Sequence, residues 1–276
     1  MRPALLLLML LSACAASLSG FQPAHVAPKG SVTGEFGFDV SIPTGTIIRT
    51  IDAAKTLAKA ADTRTLTDAE RRQLIEAGAN LALDPPATVM HFGLNYVPIQ
   101  NLELGIRWSS GTWRGGGRYQ LLAQESHGLD LTAGLAVSRF SYEFPVHEIV
   151  GDVLRLDDFV RWGLDVPLLV GKRGSWYRLW GGPRLMLSRF EAAMRLNLPA
   201  AAGAPAETAV ASVEGNAMFV GGQGGLALGF RHLFVGVELT VVQLISTGHL
   251  QLANQSQDVD LGGLIIYPGI ALMGEF

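Results

Sequence analysis

The sequence predicts a closed antiparallel β-barrel of about ten membrane-crossing strands, with a short helical insertion in its first outer loop. Three observations lead there. The composition is membrane-like: 49% of residues are hydrophobic, 16% are charged and 33 of 276 are glycine, with a mean hydropathy of +0.29. No uninterrupted apolar run reaches the roughly 18 residues of a membrane helix; the longest is Ala4 to Leu11. Instead, apolar and polar residues alternate with the period of a half-buried strand, again and again along the chain. The same arithmetic excludes other classes. A disordered chain needs more charge and fewer apolar residues. A disulfide scaffold needs more than the single Cys present. The net charge of −3 gives no basic surplus for nucleic acid.

The first 14 residues are an address rather than structure. Arg2 supplies a positive end, Ala4 to Leu11 an apolar core, and small residues follow, the pattern of an export signal. Leu11-Ser12-Ala13-Cys14 resembles the lipobox of bacterial lipoproteins, and the sole Cys falls where that motif requires it. The resemblance implies lipidation at Cys14, and Ala15 after it implies delivery to the outer membrane. Ala13-Cys14-Ala15 equally fits ordinary cleavage, so both routes stay open. Residues 15–31, small and polar with Pro23 and Pro28, read as a periplasmic tether. The barrel itself is expected over 32–276.

The strands follow in order. In the first, Val32, Gly34, Phe36, Phe38, Val40 and Ile42 oppose Thr33, Glu35, Gly37, Asp39 and Ser41, and Pro43 closes it. In the next, Met90, Phe92, Leu94 and Tyr96 oppose His91, Gly93 and Asn95. Leu104, Ile106 and Trp108 oppose Glu103, Gly105 and Arg107. Tyr119 and Leu121 oppose Arg114, Gly116, Arg118 and Gln120. Leu131, Ala133, Leu135 and Val137 oppose Asp130, Thr132 and Gly134. Trp162, Leu164, Val166 and Leu168 oppose Arg161, Gly163 and Asp165. Residues 176–189 alternate less cleanly, with Trp176 and Trp180 in phase with Arg178 and Arg184. Leu226, Leu228 and Phe230 oppose Gln223, Gly225 and Gly229. Val235, Val237 and Leu239 oppose Glu238 and Thr240. The last strand carries Leu264, Ile266, Ile270, Leu272 and Phe276 on one face. Connections are mostly long after odd strands and short after even ones, the asymmetry of transmembrane barrels. Long outer stretches are expected at 139–158, 192–213 and 246–260.

The first connection, 44–86, differs from the others. Ile48, Ile51, Ala54, Leu57, Ala58 and Ala61 fall at helical spacing. Thr67-Asp68-Ala69-Glu70 reads as a capping box, and Gly78 suits a helix end. The insertion would cap the rim, plug it or gate it.

Alternation alone does not separate a membrane barrel from a soluble sandwich. An even strand number, aromatics near strand ends (Tyr96, Trp108, Trp113, Trp162, Trp176, Tyr177, Phe230, Phe234, Phe276) and the chain's ending favour the membrane. The ending Ile270-Ala271-Leu272-Met273-Gly274-Glu275-Phe276 resembles the C-terminal signature of bacterial outer-membrane β-barrel proteins, small porin-like barrels among them. That resemblance implies Phe276 as part of a membrane-insertion signal, an outer-membrane location, and outer-membrane lipids and the barrel assembly machinery as partners.

The polar face collects Glu35, Asp39, His91, Glu103, Arg107, Arg114, Arg118, Asp130, Arg161, Asp165, Arg178, Arg184 and Glu238, a lumen network of both signs. Inward glycines leave room for these long side chains, and a small barrel is filled rather than hollow. Chemistry is sparse. There is no HExxH, no CxxC, and no phosphate-cradling loop in the Gly-rich stretches. His91 near Glu35 or Asp39, His147-Glu148, Asp157-Asp158 and His249 are the places where paired carboxylates and a His meet. No cofactor or metal is implied. The expected function is a non-enzymatic barrel, structural or passing small solutes. A surface binding or assembly module is the alternative, and an outer-membrane hydrolase or a soluble lipid-tethered barrel follow behind.

Overall fold

The computed structural model describes residues 17–63, 67, 69–70, 73, 76–77, 80, 83–142, 154–198, 207–252 and 255–276. Its strands are β1 (Val32–Pro43), β2 (Ala87–Ile99), β3 (Leu102–Ser109), β4 (Thr112–Leu122), β5 (Asp130–Tyr142), β6 (Leu154–Arg173), β7 (Tyr177–Leu198), β8 (Glu207–Phe230), β9 (Leu233–Leu252) and β10 (Gln255–Glu275). Each pairs antiparallel with its neighbours in sequence, and β1 pairs with β10, from Thr33↔Glu275 to Pro43↔Ile265, so the sheet closes into a barrel. Closure leaves no edge strand with unpaired amides, the condition for a sheet in hydrocarbon.

Alternation decides the two faces. Phe36, Phe38, Phe92, Leu94, Ile106, Leu135, Leu164, Leu187, Val220, Val237, Leu239 and Leu272 are exposed on the outside, and their polar neighbours are buried inside. One end carries short connections: residues 100–101, the single helical turn α2 (Gln124–His127), 174–176 and 231–232. Asn101 and Arg231 take positive φ in these turns. At the other end Ser110-Gly111 supplies two positive φ values in a row, as a tight hairpin of type I′ sense requires. That end also carries the first connection, with α1 (Thr44–Thr63).

Several expectations need correction. The stretches 192–213 and 246–260 are largely ladder. β7 and β8 stay paired to Leu198↔Glu207, and β9 and β10 to Leu252↔Gln255. β5 likewise runs on to Tyr142 and β6 starts at Leu154, which narrows the loop expected over 139–158. Past the apolar band the outward positions turn polar, as at Glu191, Glu214 and His249, while Phe190, Ala192 and Val213 are buried inside, so the oily-outside alternation ends while the backbone bonds continue. Helical residues recur at 69–70, 73, 76–77, 80 and 83, and Gly78 lies outside the described residues. Their start is the capping box: the Glu70 amide donates to Thr67 Oγ1 at 3.3 Å and the Thr67 amide to Glu70 Oε2 at 2.9 Å. α1 is rotated from its expected phase. Thr46 and Ala53 are buried, whereas Ile48 and Ile51 are exposed. Gly45 sets the rotation by close backbone approach to β10, where an added Cβ would lie 2.7 Å from the Gly262 carbonyl oxygen. Among the strand-end aromatics, Phe234 points inward.

The largest departure is the expected tether. Leu18, Ser19, Phe21, Ala24, His25, Val26 and Ala27 are all buried. The described part of the segment runs up the inside of the barrel rather than away from it, and then turns at Gly30 (φ +89°) into β1. The export signal and Cys14 lie outside the described residues.

Candidate functional site in the barrel lumen

The lumen is organised by pairing across strands. Glu103 on β3 faces Arg118 on β4, and the guanidinium grips the carboxylate with both teeth, Nε to Oε1 at 2.8 Å and Nη2 to Oε2 at 3.0 Å. Elsewhere a glycine stands between two partners that are two strands apart. Glu35, Gly93 and Arg107 occupy one row of β1, β2 and β3, and Arg107 Nε reaches Glu35 Oε1 at 3.2 Å over the glycine. Trp180, Gly225 and Glu238 form the same arrangement on β7, β8 and β9, with the Trp180 indole N–H donating to Glu238 Oε2 at 2.8 Å. A Cβ on Gly225 would meet the indole at 2.2 Å, and one on Gly93 would meet Glu35 at 2.8 Å. The glycines are therefore the gaps through which the network is wired.

The polar residues divide into four groups. In the first, Arg107 bridges Glu35 and Asp39, and His91 sits between the same carboxylates, Nε2 at 3.4 Å from Asp39 and Nδ1 at 3.7 Å from Glu35. In the second, Asp165 takes both Arg114 and Arg184, and Arg184 also donates to Gln223 at 2.5 Å. The third closes the turn end. Arg178 pairs with Glu275 at 2.7 Å and stacks 4.2 Å from the Phe234 ring, while Asp130 accepts from the Gln120 side chain and the Gln124 amide and lies 3.4 Å from Arg173. The fourth lies at the loop end. Arg161 stacks against Phe140 and Phe219, at 5.7 Å from each, and donates to the Leu83 carbonyl at 3.0 Å. Beside it Asp84 accepts from Tyr267 at 2.8 Å and Ser41 at 3.2 Å. Burial among apolar rings pushes the Asp84 carboxyl up to about 6, against the bonds from Tyr267 and Ser41 and the charge of Arg161. The end of the first connection is thus tucked into the mouth of the barrel.

Glu238 breaks the pattern. Among the described inward carboxylates on strands it alone has no guanidinium or imidazole partner. It takes three N–H donors instead: the main-chain amides of Gly20 at 2.5 Å and Phe21 at 2.9 Å, and the Trp180 indole. Gly20 and Phe21 belong to the inner strap, residues 17–29. Further contacts pin the strap along its length. Arg107 donates to the Ser19 carbonyl, Arg118 to the Pro23 carbonyl, and the Val26 amide donates to Gln120 Oε1 at 2.8 Å. Ser17 donates to Asp39, and His25 Nε2 lies 3.2 Å from Glu275. Phe21 stacks on His91 with ring centres 5.1 Å apart and joins Ala24, Leu169, Trp180, Ala227, Phe234, Ala271 and Met273 in one apolar cluster. The space left between strap and wall is small, with cavities of about 40 and 20 Å³, enough for a water or two.

The four candidates for chemistry fare differently. His91 is fully buried under Phe21, and the Ser17 hydroxyl of the strap is bonded to Asp39. His249 lies on the outer surface of β9 as an exposed pair with Asp258 at 2.6 Å. His147 and Glu148 lie outside the described residues; Asp157 and Asp158 fall on β6, where their side chains are not described. Among the described residues no cluster of three or more His, Cys, Asp or Glu is placed to hold a metal. Phe276 is exposed at the turn end, stacked 5.6 Å from His232, its amide and carbonyl both bonded to Val32.

The strap is the lumen element that the sequence reading did not foresee. Its signal was nonetheless there: Leu18, Phe21, Ala24 and Val26 are apolar, and residues 15–31 contain no acidic residue. A solvated tether is normally charged.

No protein-family model matches the chain, nor does any curated protein sequence. Solved structures do. The attachment invasion locus protein Ail of Yersinia pestis is 10% identical, with 90% of this chain and 99% of that one covered at a TM-score of 0.30. The CymD monoaromatic hydrocarbon channel is 9% identical over 98% and 96%, with a TM-score of 0.36. The outer membrane protease OmpT of Escherichia coli is 12% identical over 89% and 93%, with a TM-score of 0.34. No residue role or activity transfers at that level of similarity.

Proposed function

We propose that this chain is an integral outer-membrane β-barrel with a structural role, closed to solutes at rest, through which small solutes pass only when its inner strap is displaced. One observation carries the reading: Glu238, left without a cation in a lumen of paired charges, is satisfied by the strap's own amides. The apolar outside, with Trp113 and Trp162 toward the loop end and Tyr96, Tyr119, Trp176 and Phe230 toward the turn end, favours the bilayer over a soluble barrel. The reading assigns no catalysis, because His91 is sealed from water and no described hydroxyl is hydrogen-bonded to it.

Planar-bilayer recording tests it. The full chain should be silent, and a chain lacking residues 17–28 should conduct in discrete steps. Steady conductance from the full chain would overturn the closed state. Release of intact protein from membranes by high-pH carbonate would overturn the membrane reading itself.

A further inference from the structure

The outer wall carries a feature that the lumen does not explain. An open groove of about 680 Å³ runs over β5 to β9, with a floor of Val137, Leu164, Leu187, Met218 and Ile245. At its loop-end rim the lining changes to Trp162, Arg189, Asn216 and Thr247. Paired positions on successive strands place Trp113, Arg139, Trp162 and Arg189 side by side in one outward row. The Arg139 guanidinium stacks over the Trp162 ring at 5.6 Å.

The height of this row matters. Trp162 stands eleven residues above Arg173, the turn-end limit of β6. At a rise of 3.3 Å along a strand tilted by about 40°, that is about 28 Å, just beyond an apolar band of about 25 Å. Arg139 and Arg189 therefore sit where acyl chains give way to headgroups. Arg139 is exposed, and among the described residues no carboxylate pairs with it. Arg189 has only Glu191, at 3.7 Å with both side chains exposed, a contact of little strength. Two outward arginines two strands apart, with about 10 Å between their backbones and an indole on the strand between them, border an apolar row that crosses the strands obliquely, and together they match an anionic headgroup with its chain lying along that row.

We infer that this groove seats a phosphate-bearing lipid of the outer leaflet, its acyl chain along Leu164, Leu187, Met218 and Ile245 and its phosphate between Arg139 and Arg189. The inference rests on the membrane reading above and names the lipid class that such a barrel would hold.

Native mass spectrometry of the full chain tests it. The protein is taken in mild detergent with equimolar phosphatidic acid and phosphatidylcholine of the same acyl chains. The parent should retain phosphatidic acid at least fivefold over phosphatidylcholine. Arg139→Gln with Arg189→Gln should bring the ratio to about one, and Met218→Trp, which fills the channel, should lower total retention. Lys55→Gln, an exposed cation on α1, should leave the ratio unchanged. Equal retention of the two lipids by the parent, an unaltered ratio in the double variant, or a dimer seated across the groove would each overturn the inference. Protein recovered without detergent would instead refute the membrane reading.

Discussion

Replacing Glu238 by Gln keeps the size of the side chain and removes its charge. The three N–H groups of Gly20, Phe21 and Trp180 then face one carbonyl oxygen and one NH2 group, itself a donor. Hydrogen bonds to a charged group contribute about 1.5–3 kcal/mol each, and a buried donor left unpaired costs about 1–3 kcal/mol. Losing one to two of the three weakens strap seating by about 2–4 kcal/mol, or about 30- to 900-fold in the ratio of seated to released strap. A Ser19→Cys probe in a Cys14→Ser background reports that ratio, because residue 19 is buried only while the strap is in place. Maleimide labelling of the probe should accelerate by that factor in Glu238→Gln. Trp180→Phe removes only the indole donor and should accelerate it tenfold at most. A labelling rate in Glu238→Gln within twofold of the parent would refute the idea that this carboxylate holds the strap.

Other outcomes follow from the same geometry. Gly225→Ala drives a Cβ into the Trp180 ring and should cost about 1–3 kcal/mol, lowering the midpoint of heat-induced gel mobility change. Gly115→Ala, with nothing within 4 Å, should not. Asp84 titrates at about 6 when seated against 3.8 when free, so its protonated form favours the seat. That contribution, about 3 kcal/mol, is fully present below pH 3.8 and lost as pH rises through 6. Protection factors for amide exchange in residues 44–86, taken relative to the intrinsic rate at each pH, should therefore be higher at pH 5 than at pH 7.5, and Asp84→Asn should abolish the difference. Finally, Cys14 stands three residues before Ser17, which is bonded inside the lumen to Asp39. Three residues span at most about 10 Å, too little to carry an acyl chain from there into the bilayer. Protein with a triacylated Cys14, by mass spectrometry, should show a Ser19→Cys probe labelled at the rate of a released strap.

What the sequence revealed depended on whether a residue's two sides faced different media. Where one side of a strand meets the apolar surround and the other the lumen, alternation is sharp, and residues such as Phe36 against Glu35 are legible at once. Along the upper parts of β7, β8 and β9 the sense reverses, with Glu191, Glu214 and His249 outside and Phe190, Ala192 and Val213 buried inside, so the lower pattern does not continue although the ladder is intact. The capping box of Thr67 and Glu70 was readable because it is local. The strap and the inward tuck of Asp84 were not, because both depend on partners more than 180 residues away, Glu238 and Tyr267. The phase of α1 was likewise set by a contact from outside the helix, Gly45 against Gly262.

The strap leads without a break into β1, and β1 meets β10, the last strand, along the final join of the wall. A released strap therefore hangs from that join, leaves the ring shut, and can return to the bore only through the turn end, where Gly30 ties it to β1. A bulky fusion placed just ahead of residue 17 would keep the strap outside a ring that is already shut. What fills the bore is thus settled by a dozen residues that form no part of its wall and are moored to it at one rim.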